Sequence, residues 1–225
     1  MLLLAVDTSG KHGSIALAEC EPDGSCAAIE VTALAGGTFS AQLVPQIAGL
    51  LVAHRFTRQD LGAFAVASGP GSFTGLRIGL AAIKGLAEAL GKPIAEVSLL
   101  EAIATAGGLQ GKVMAALDAG RSEFYMGVYD VSPEGARMIS ERLVTQDELV
   151  ESAVGLTVVT PDPQIAEALR SKKIHIEMTD RPRADAIARL GWKKIQAGDT
   201  VPAEQLEANY IRRTDAEIFS KPAAR

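Results

Sequence analysis

Leu2–Val6 is an apolar run that stops at Asp7, and after a polar turn containing Gly10 and Gly13 a second apolar run follows at Ser14–Ala18. Two such runs across a short glycine-containing turn predict a β-hairpin, which Ala27–Thr32 extends by a third strand. The period then changes. Across Ser40–Ala53 the apolar positions 43, 44, 47, 50 and 51 recur at helical spacing, with Ser40 placed to cap them. Ala63–Ser68 predicts a fourth strand, Thr74–Leu90 a second helix and Pro93–Val97 a fifth strand. From Lys112 the order begins again. Strands are expected at Lys112–Leu117, Phe124–Tyr129 and Met138–Val144, a helix at Gln146–Ser152 and a strand at Leu156–Thr160. A helix at Gln164–Arg170, a strand at Ile174–Glu177 and a longer helix at Ala184–Gln196 complete the round.

Three strands, a helix, a strand, a helix and a strand therefore occur twice. That is the element order of two ribonuclease-H-like lobes, the duplicated α/β architecture of the actin, hexokinase and Hsp70 group. A single doubly wound sheet shares the alternation, but it would place a helix after nearly every strand, and both rounds here open with three strands. The repeat is one of element order, not of residues. It divides the chain into an N-terminal lobe, 1–106, and a C-terminal lobe, 107–225, with Ala106-Gly107-Gly108 as the nearest boundary and the last helix expected to pack back on the first lobe.

At 225 residues the chain can bury a large core, and 48% hydrophobic with 22% charged residues is an ordinary globular balance. No apolar run reaches the roughly 20 residues of a membrane-spanning helix, and the apolar start ends at Asp7 without a basic flank, so a buried strand is read there rather than a signal peptide. A formal charge of −5 argues against this chain alone gripping a phosphate backbone. Cys20 and Cys26 are too few for a disulfide framework and are expected as reduced thiols in a cytoplasm.

Ser68-Gly69-Pro70-Gly71-Ser72-Phe73-Thr74-Gly75 joins a predicted strand to a predicted helix. Its glycines permit close backbone approach, Ser72 or Thr74 can cap, and free N–H groups at the helix start suit an anion. A tight connection with no ligand explains the same residues. The loop is no Walker A motif, because no Gly-Lys-Ser/Thr follows. Behind it, Arg77, Lys84 and Glu88 are the only charges between Gly75 and Leu90, and they share one narrow stripe. A helix that is apolar over the rest of its circumference calls for two covers, its own sheet and either the first helix or another protein. Small residues at Gly75, Gly79 and Ala82 would permit a close crossing, so Gly79→Leu or Ala82→Glu is expected to weaken assembly and leave the fold intact. Phe73, at the loop tip, is read as an aromatic in search of a packing partner.

Asp7-Thr8-Ser9 and Asp118 stand at equivalent strand ends, where paired carboxylates could hold a hydrated Mg²⁺ and a nucleotide phosphate. Strand-end aspartates also cap turns. A small ATPase or kinase using Asp7 and Asp118 is accordingly the alternative function. His12, His54 and His175 are scattered without zinc spacing, and neither a nucleophile elbow nor a cysteine–base pair is present.

Leu4-Ala5-Val6-Asp7-Thr8-Ser9, the run Ser68–Gly79, Ala116–Ala119 with Glu123-Phe124-Tyr125, and Pro202 through Tyr210-Ile211-Arg212-Arg213 closely resemble the bacterial TsaB (YeaZ) family over nearly the whole chain. The resemblance implies an actin-like fold related to the glycoprotease-like TsaD but without its metal-binding histidines. It also implies membership of the cytoplasmic complex that forms threonylcarbamoyladenosine in tRNA, next to the anticodon. In that family TsaD performs the transfer, TsaE is an ATPase that joins them, and TsaB is a noncatalytic partner that pairs with TsaD, or with itself as a homodimer. The resemblance implies no cofactor for this chain, ATP and metal for the partner subunits, tRNA reached only through the complex, and no membrane. Pairing is expected through the two N-lobe helices, at Leu43, Ile47 and Leu50 of the first and at Phe73, Gly75, Leu76, Gly79, Ala82, Ile83 and Leu86 of the second. Asp7, Thr8, Ser9 and Asp118 remain the possible nucleotide-binding residues. Phe39 stands where many members have His, and Gly120 where many have a basic residue, so neither side chain takes a role from the family.

Overall fold

The computed structural model describes residues 1–211; Arg212 and Arg213, part of the resemblance above, lie outside the described residues. The first lobe runs β1 (Leu2–Asp7), β2 (Gly13–Cys20), β3 (Cys26–Leu34), α1 (Phe39–Ala53), β4 (Leu61–Gly69), α2 (Phe73–Leu90), β5 (Ile94–Ser98) and α3 (Leu99–Ala106). The second runs β6 (Gly111–Gly120), β7 (Glu123–Ser132), β8 (Gly135–Thr145), α4 (Gln146–Ser152), β9 (Thr157–Thr160), α5 (Pro163–Arg170), β10 (His175–Met178) and α6 (Ala184–Gln196).

The strands form two five-stranded sheets, β3-β2-β1-β4-β5 and β10-β9-β6-β7-β8, which have the same order when each is counted from its own first strand. In both, the first three strands pair antiparallel and the last two add in parallel. The duplicated ribonuclease-H-like architecture is therefore present.

Each sheet is covered on both faces, so its strands carry apolar residues on both. Leu4, Val6, Ile15 and Leu17 face α1 and α2, whereas Leu3, Ala5, Ala16 and Ala18 face α6. In the second sheet Val113, Ala115 and Leu117 face α3, and Met114 and Ala116 face α4 and α5. The helices that end the two rounds have exchanged places. α3 follows β5 yet packs on the second sheet, while α6 follows β10 yet inserts Ile187, Leu190 and Trp192 against the first. Trp192 also donates its indole N–H to the Glu21 carbonyl at 3.0 Å.

Helix α3 is an α-helix the hydrophobic pattern does not predict. It follows β5 with no intervening loop, and the Ser98 hydroxyl makes the switch by accepting from the N–H groups of Leu100 and Glu101. The cysteines are a second correction. The β2–β3 register sets Cys20 directly opposite Cys26, and the two are joined in a disulfide, not left as free thiols.

Candidate functional site

Two surfaces of the first lobe carry the residues singled out from the sequence: the pair α1–α2, and the cleft between the lobes at the start of α2.

Helix α2 begins where Ser72 accepts from the Gly75 N–H at 3.2 Å, so Ser72, not Thr74, is the cap. Its first turns press on the β1–β2 turn. A Cβ on Gly75 would lie 2.1 Å from the Thr8 carbonyl oxygen, and one on Gly79 would lie 2.3 Å from Thr8 Oγ1. That hydroxyl donates to the Gly75 carbonyl at 2.7 Å. Gly75 and Gly79 thus serve a crossing inside the chain, where they were expected to face a partner, and Gly79→Leu would collide with Thr8 instead of testing assembly. Phe73 also finds its neighbours in this chain. Its ring lies 5.1 Å from that of Tyr210, and the Arg77 guanidinium sits over the Phe73 ring, 3.8 Å from its centroid.

Most of the other expected contact residues are core. Leu43, Ile47, Leu50, Leu76 and Ile83 are buried between the helices and the first sheet, and Ala82 and Leu86 are half-buried beside them. Phe39 joins the same core, beneath Gly13. What remains outside is a different set. In α1, Ala41, Val44, Ala48 and Val52 are exposed, with Val44 at 58% and Val52 at 74%. In α2, Ala81, Gly85 and Ala89 recur every four residues on the exposed side. None of the fifteen residues of α1 is charged. A surface helix ordinarily turns charged and polar residues to water; α1 turns small aliphatic ones there, with Ser40 and Gln46 as its exposed polar residues.

The cleft between the lobes has a volume of about 640 Å³. Ser9, Lys11, Ser72 and Arg181 line it from one side, Leu117, Asp118, Arg121 and Tyr125 from the other, and Tyr210 and Ile211 close one end. Asp7 lies beneath this lining at 3% exposure and accepts from the Ser9 N–H at 2.8 Å. Burial raises its carboxyl above the ordinary value, against the lowering effects of Ser9 and Arg181. The Ser9 hydroxyl stands near this carboxyl without a hydrogen bond of normal geometry. Thr8 is committed to Gly75. Asp118 faces the cleft, but its Oδ1 accepts from the Gly120 N–H at 2.9 Å, inside its own turn. Gly120 has φ +71, a conformation that favours glycine and needs no side chain. One aspartate is therefore buried and the other is engaged in turning the chain, which disfavours the Mg-nucleotide alternative. Among the described residues no group of three His, Cys, Asp or Glu side chains is placed to hold a metal ion.

Arg181, Asn209 and Tyr210 were not legible as site residues. They stand in polar, aperiodic segments and reach the cleft only through the tertiary fold.

Residues 31–188 match the family model described as "TsaD: tRNA N6-adenosine threonylcarbamoyltransferase". The chain is 31% identical over 229 residues to the tRNA threonylcarbamoyladenosine biosynthesis protein TsaB of Bacillus subtilis, with 96% of each protein covered. It is 28% identical to the protein of the same name from Escherichia coli, again with 96% of each covered. Among solved structures, YeaZ from Pseudomonas aeruginosa superposes with a TM-score of 0.75 at 27% identity, covering 92% of this chain and 100% of that one. Similarity of sequence over nearly the full length, joined to the same fold, shows that the chain belongs to the TsaB (YeaZ) family, within the wider group that the TsaD model describes.

Proposed function

We propose that this chain is an accessory subunit in the formation of threonylcarbamoyladenosine in tRNA, and that it works by docking on a larger TsaD-type subunit. The observation that carries this reading is the outer face of α1 and α2. An uncharged helix showing Val44, Ala48 and Val52 beside the Ala81–Gly85–Ala89 row of its neighbour is suited to contact protein rather than water. Small side chains there let a partner helix approach closely. Without that partner, the same face would pair two copies of this chain as a homodimer.

In this reading the chain is noncatalytic. The transfer chemistry, with its ATP and metal, belongs to the TsaD- and TsaE-type subunits, tRNA is reached through the complex, and all of it takes place in the cytoplasm. The test replaces Val44 and Ala48 with Glu. Both side chains point away from the core, so stability should change by less than about 0.5 kcal/mol. Co-elution with the cognate TsaD-type subunit and formation of the modified nucleoside in the reconstituted system should both be lost. Undiminished co-elution of the Val44→Glu, Ala48→Glu variant would overturn the docking face.

A further inference from the structure

The described chain ends in residues 201–211, which lie along the first lobe as a strap. Val201 N–H donates to the Ile94 carbonyl, Leu206 is buried in the core under α2, and the Glu204 carbonyl accepts from Lys84 Nζ at 3.2 Å. Further on, Asn209 N–H donates to the Ser68 carbonyl at 2.8 Å, and a Cβ on Gly69 would lie 2.9 Å from the Asn209 carbonyl oxygen. Tyr210 then stacks on Phe73 and accepts from Arg77 Nε at 3.0 Å. The strap is thus bound to α2 at three points along its length, on the flank next to the exposed row.

The other anchor is in the second lobe. Glu141 of β8 reaches across the lobe boundary with both carboxylate oxygens. Oε1 accepts from the hydroxyls of Ser98, at the end of β5, and Tyr129, on β7. Oε2 accepts from Asn209 Nδ2 at 2.6 Å. Tyr129 is 1% exposed, and burial first, then the Glu141 charge, hold its phenol protonated well above the usual range. Its hydroxyl is therefore held as a donor to Glu141. Charge-assisted bonds of this kind are the stronger class, and one carboxylate here joins both lobes to the strap.

We propose that Glu141 and Asn209 are positioning residues for the docking face: they lock the strap, and the strap holds α2 at the orientation from which it meets its partner. The inference rests on the docking reading above. Glu141 touches no residue of the outer face, and a residue with a merely local role would leave partner affinity unmoved. One group from each residue makes the strap bond, so removal of either should loosen the end of the strap around Asn209, and removal of both should add little there.

The experiment measures hydrogen exchange of strap amides 203–211 in the full chain, and affinity for the cognate TsaD-type subunit, in Glu141→Ala, Asn209→Ala and the double variant. Strap exchange should rise at least tenfold in each single variant, with no further rise in the double. Affinity should fall at least fivefold in step, and Glu141→Gln, which keeps one acceptor oxygen, should recover part of both. Unchanged strap exchange in Asn209→Ala, which keeps the Glu141–Tyr129–Ser98 group, would overturn the lock even if Glu141→Ala does not fold. Faster exchange with unchanged affinity would overturn the coupling. Failure of the docking reading shows separately, as full binding by the Val44→Glu, Ala48→Glu variant.

Discussion

The same substitution at two glycines of one helix should have opposite effects. A Cβ at Gly79 meets Thr8 Oγ1 at 2.3 Å, while one at Gly85 meets nothing within 4 Å. Both positions gain helix propensity when glycine becomes alanine, about 1 kcal/mol each. At Gly85 nothing opposes that gain, so Gly85→Ala should be about 1 kcal/mol more stable than the parent. At Gly79 the new methyl must displace a hydroxyl that is 1% exposed and already bonded to the Gly75 carbonyl. Overpacking costs about 1–3 kcal/mol, and a broken buried hydrogen bond about 1 more. Net of propensity, Gly79→Ala should destabilise by about 1–3 kcal/mol. Urea titration of the two variants should separate them by at least about 2 kcal/mol, and their melting temperatures by about 4 °C or more for a chain of this size. Thr8→Ala supplies the control, because without Oγ1 the nearest atoms to the new methyl are Thr8 Cβ and Val6 Cγ1, both at 3.5 Å. In that background Gly79→Ala should recover about 1–2 kcal/mol of its cost. Gly79→Ala as stable as Gly85→Ala, or strict additivity with Thr8→Ala, would refute the packing account.

Two further outcomes follow from burial. Asp7 has its folded carboxyl pKa raised by desolvation, so its contribution to stability is fully present below the ordinary value of 3.8 and is lost as pH rises through the raised value. Asp7→Asn removes that loss, and its stability relative to the parent should increase as pH rises above the ordinary value of 3.8; a pH-independent difference in urea midpoints would refute it. Fragment 1–106 lacks α6, and with it Ile187, Leu190 and Trp192, whose burial contributes roughly 5–8 kcal/mol. It should bind a hydrophobic dye and melt without cooperativity, and a sharp thermal transition would show instead that the first lobe folds alone.

Much of the fold was legible because strands and helices here differ in period. Gln146–Ser152 and Ala184–Gln196 fall on their predicted bounds, and most other elements start or stop within a few residues of theirs. Helix α3 was not legible. From Val97 to Ala106 the chain is apolar apart from Ser98, Glu101 and Thr105, with no glycine or proline to mark the change from strand to helix. A short, largely apolar run leaves strand and helix hard to tell apart by period; six of the eight α3 residues are buried, Glu101 among them. The cleft was legible only in part. Asp7, Thr8, Ser9 and Asp118 do come to the lobe boundary, but strand-end position cannot tell a carboxylate that faces a ligand from one that lies under it. Whether each is satisfied by a neighbouring N–H is settled only by the turn conformation.

The proposed docking face exposes a more general limit. The excess of apolar residues on α1 and α2 was visible in the sequence, and so was the need for a second cover. The residues chosen to meet that cover were Leu43, Ile47, Leu50, Phe73, Gly75, Leu76, Gly79, Ala82, Ile83 and Leu86. Leu43, Ile47, Leu50, Gly75, Leu76, Gly79 and Ile83 are buried, Ala82 and Leu86 are half-buried, and Phe73 is exposed. Most of these residues lie on the inner side because size and smallness do different work on the two sides of these helices. Facing the sheet, large side chains fill volume, and glycine is needed only where α2 crosses the Thr8 turn. Facing outward, valine, alanine and glycine stand where a water-facing helix ordinarily carries lysine or glutamate, and the informative feature is the missing charge. Val44 and Val52 differ from Leu43 and Leu51 by one residue in register, a rotation of about 100° around the helix. A hydrophobicity scale ranks the inner pair as the better contact. The polarity expected of a solvent-facing position singles out the outer pair, so the search for a docking face is better made on absent charges than on abundant leucines.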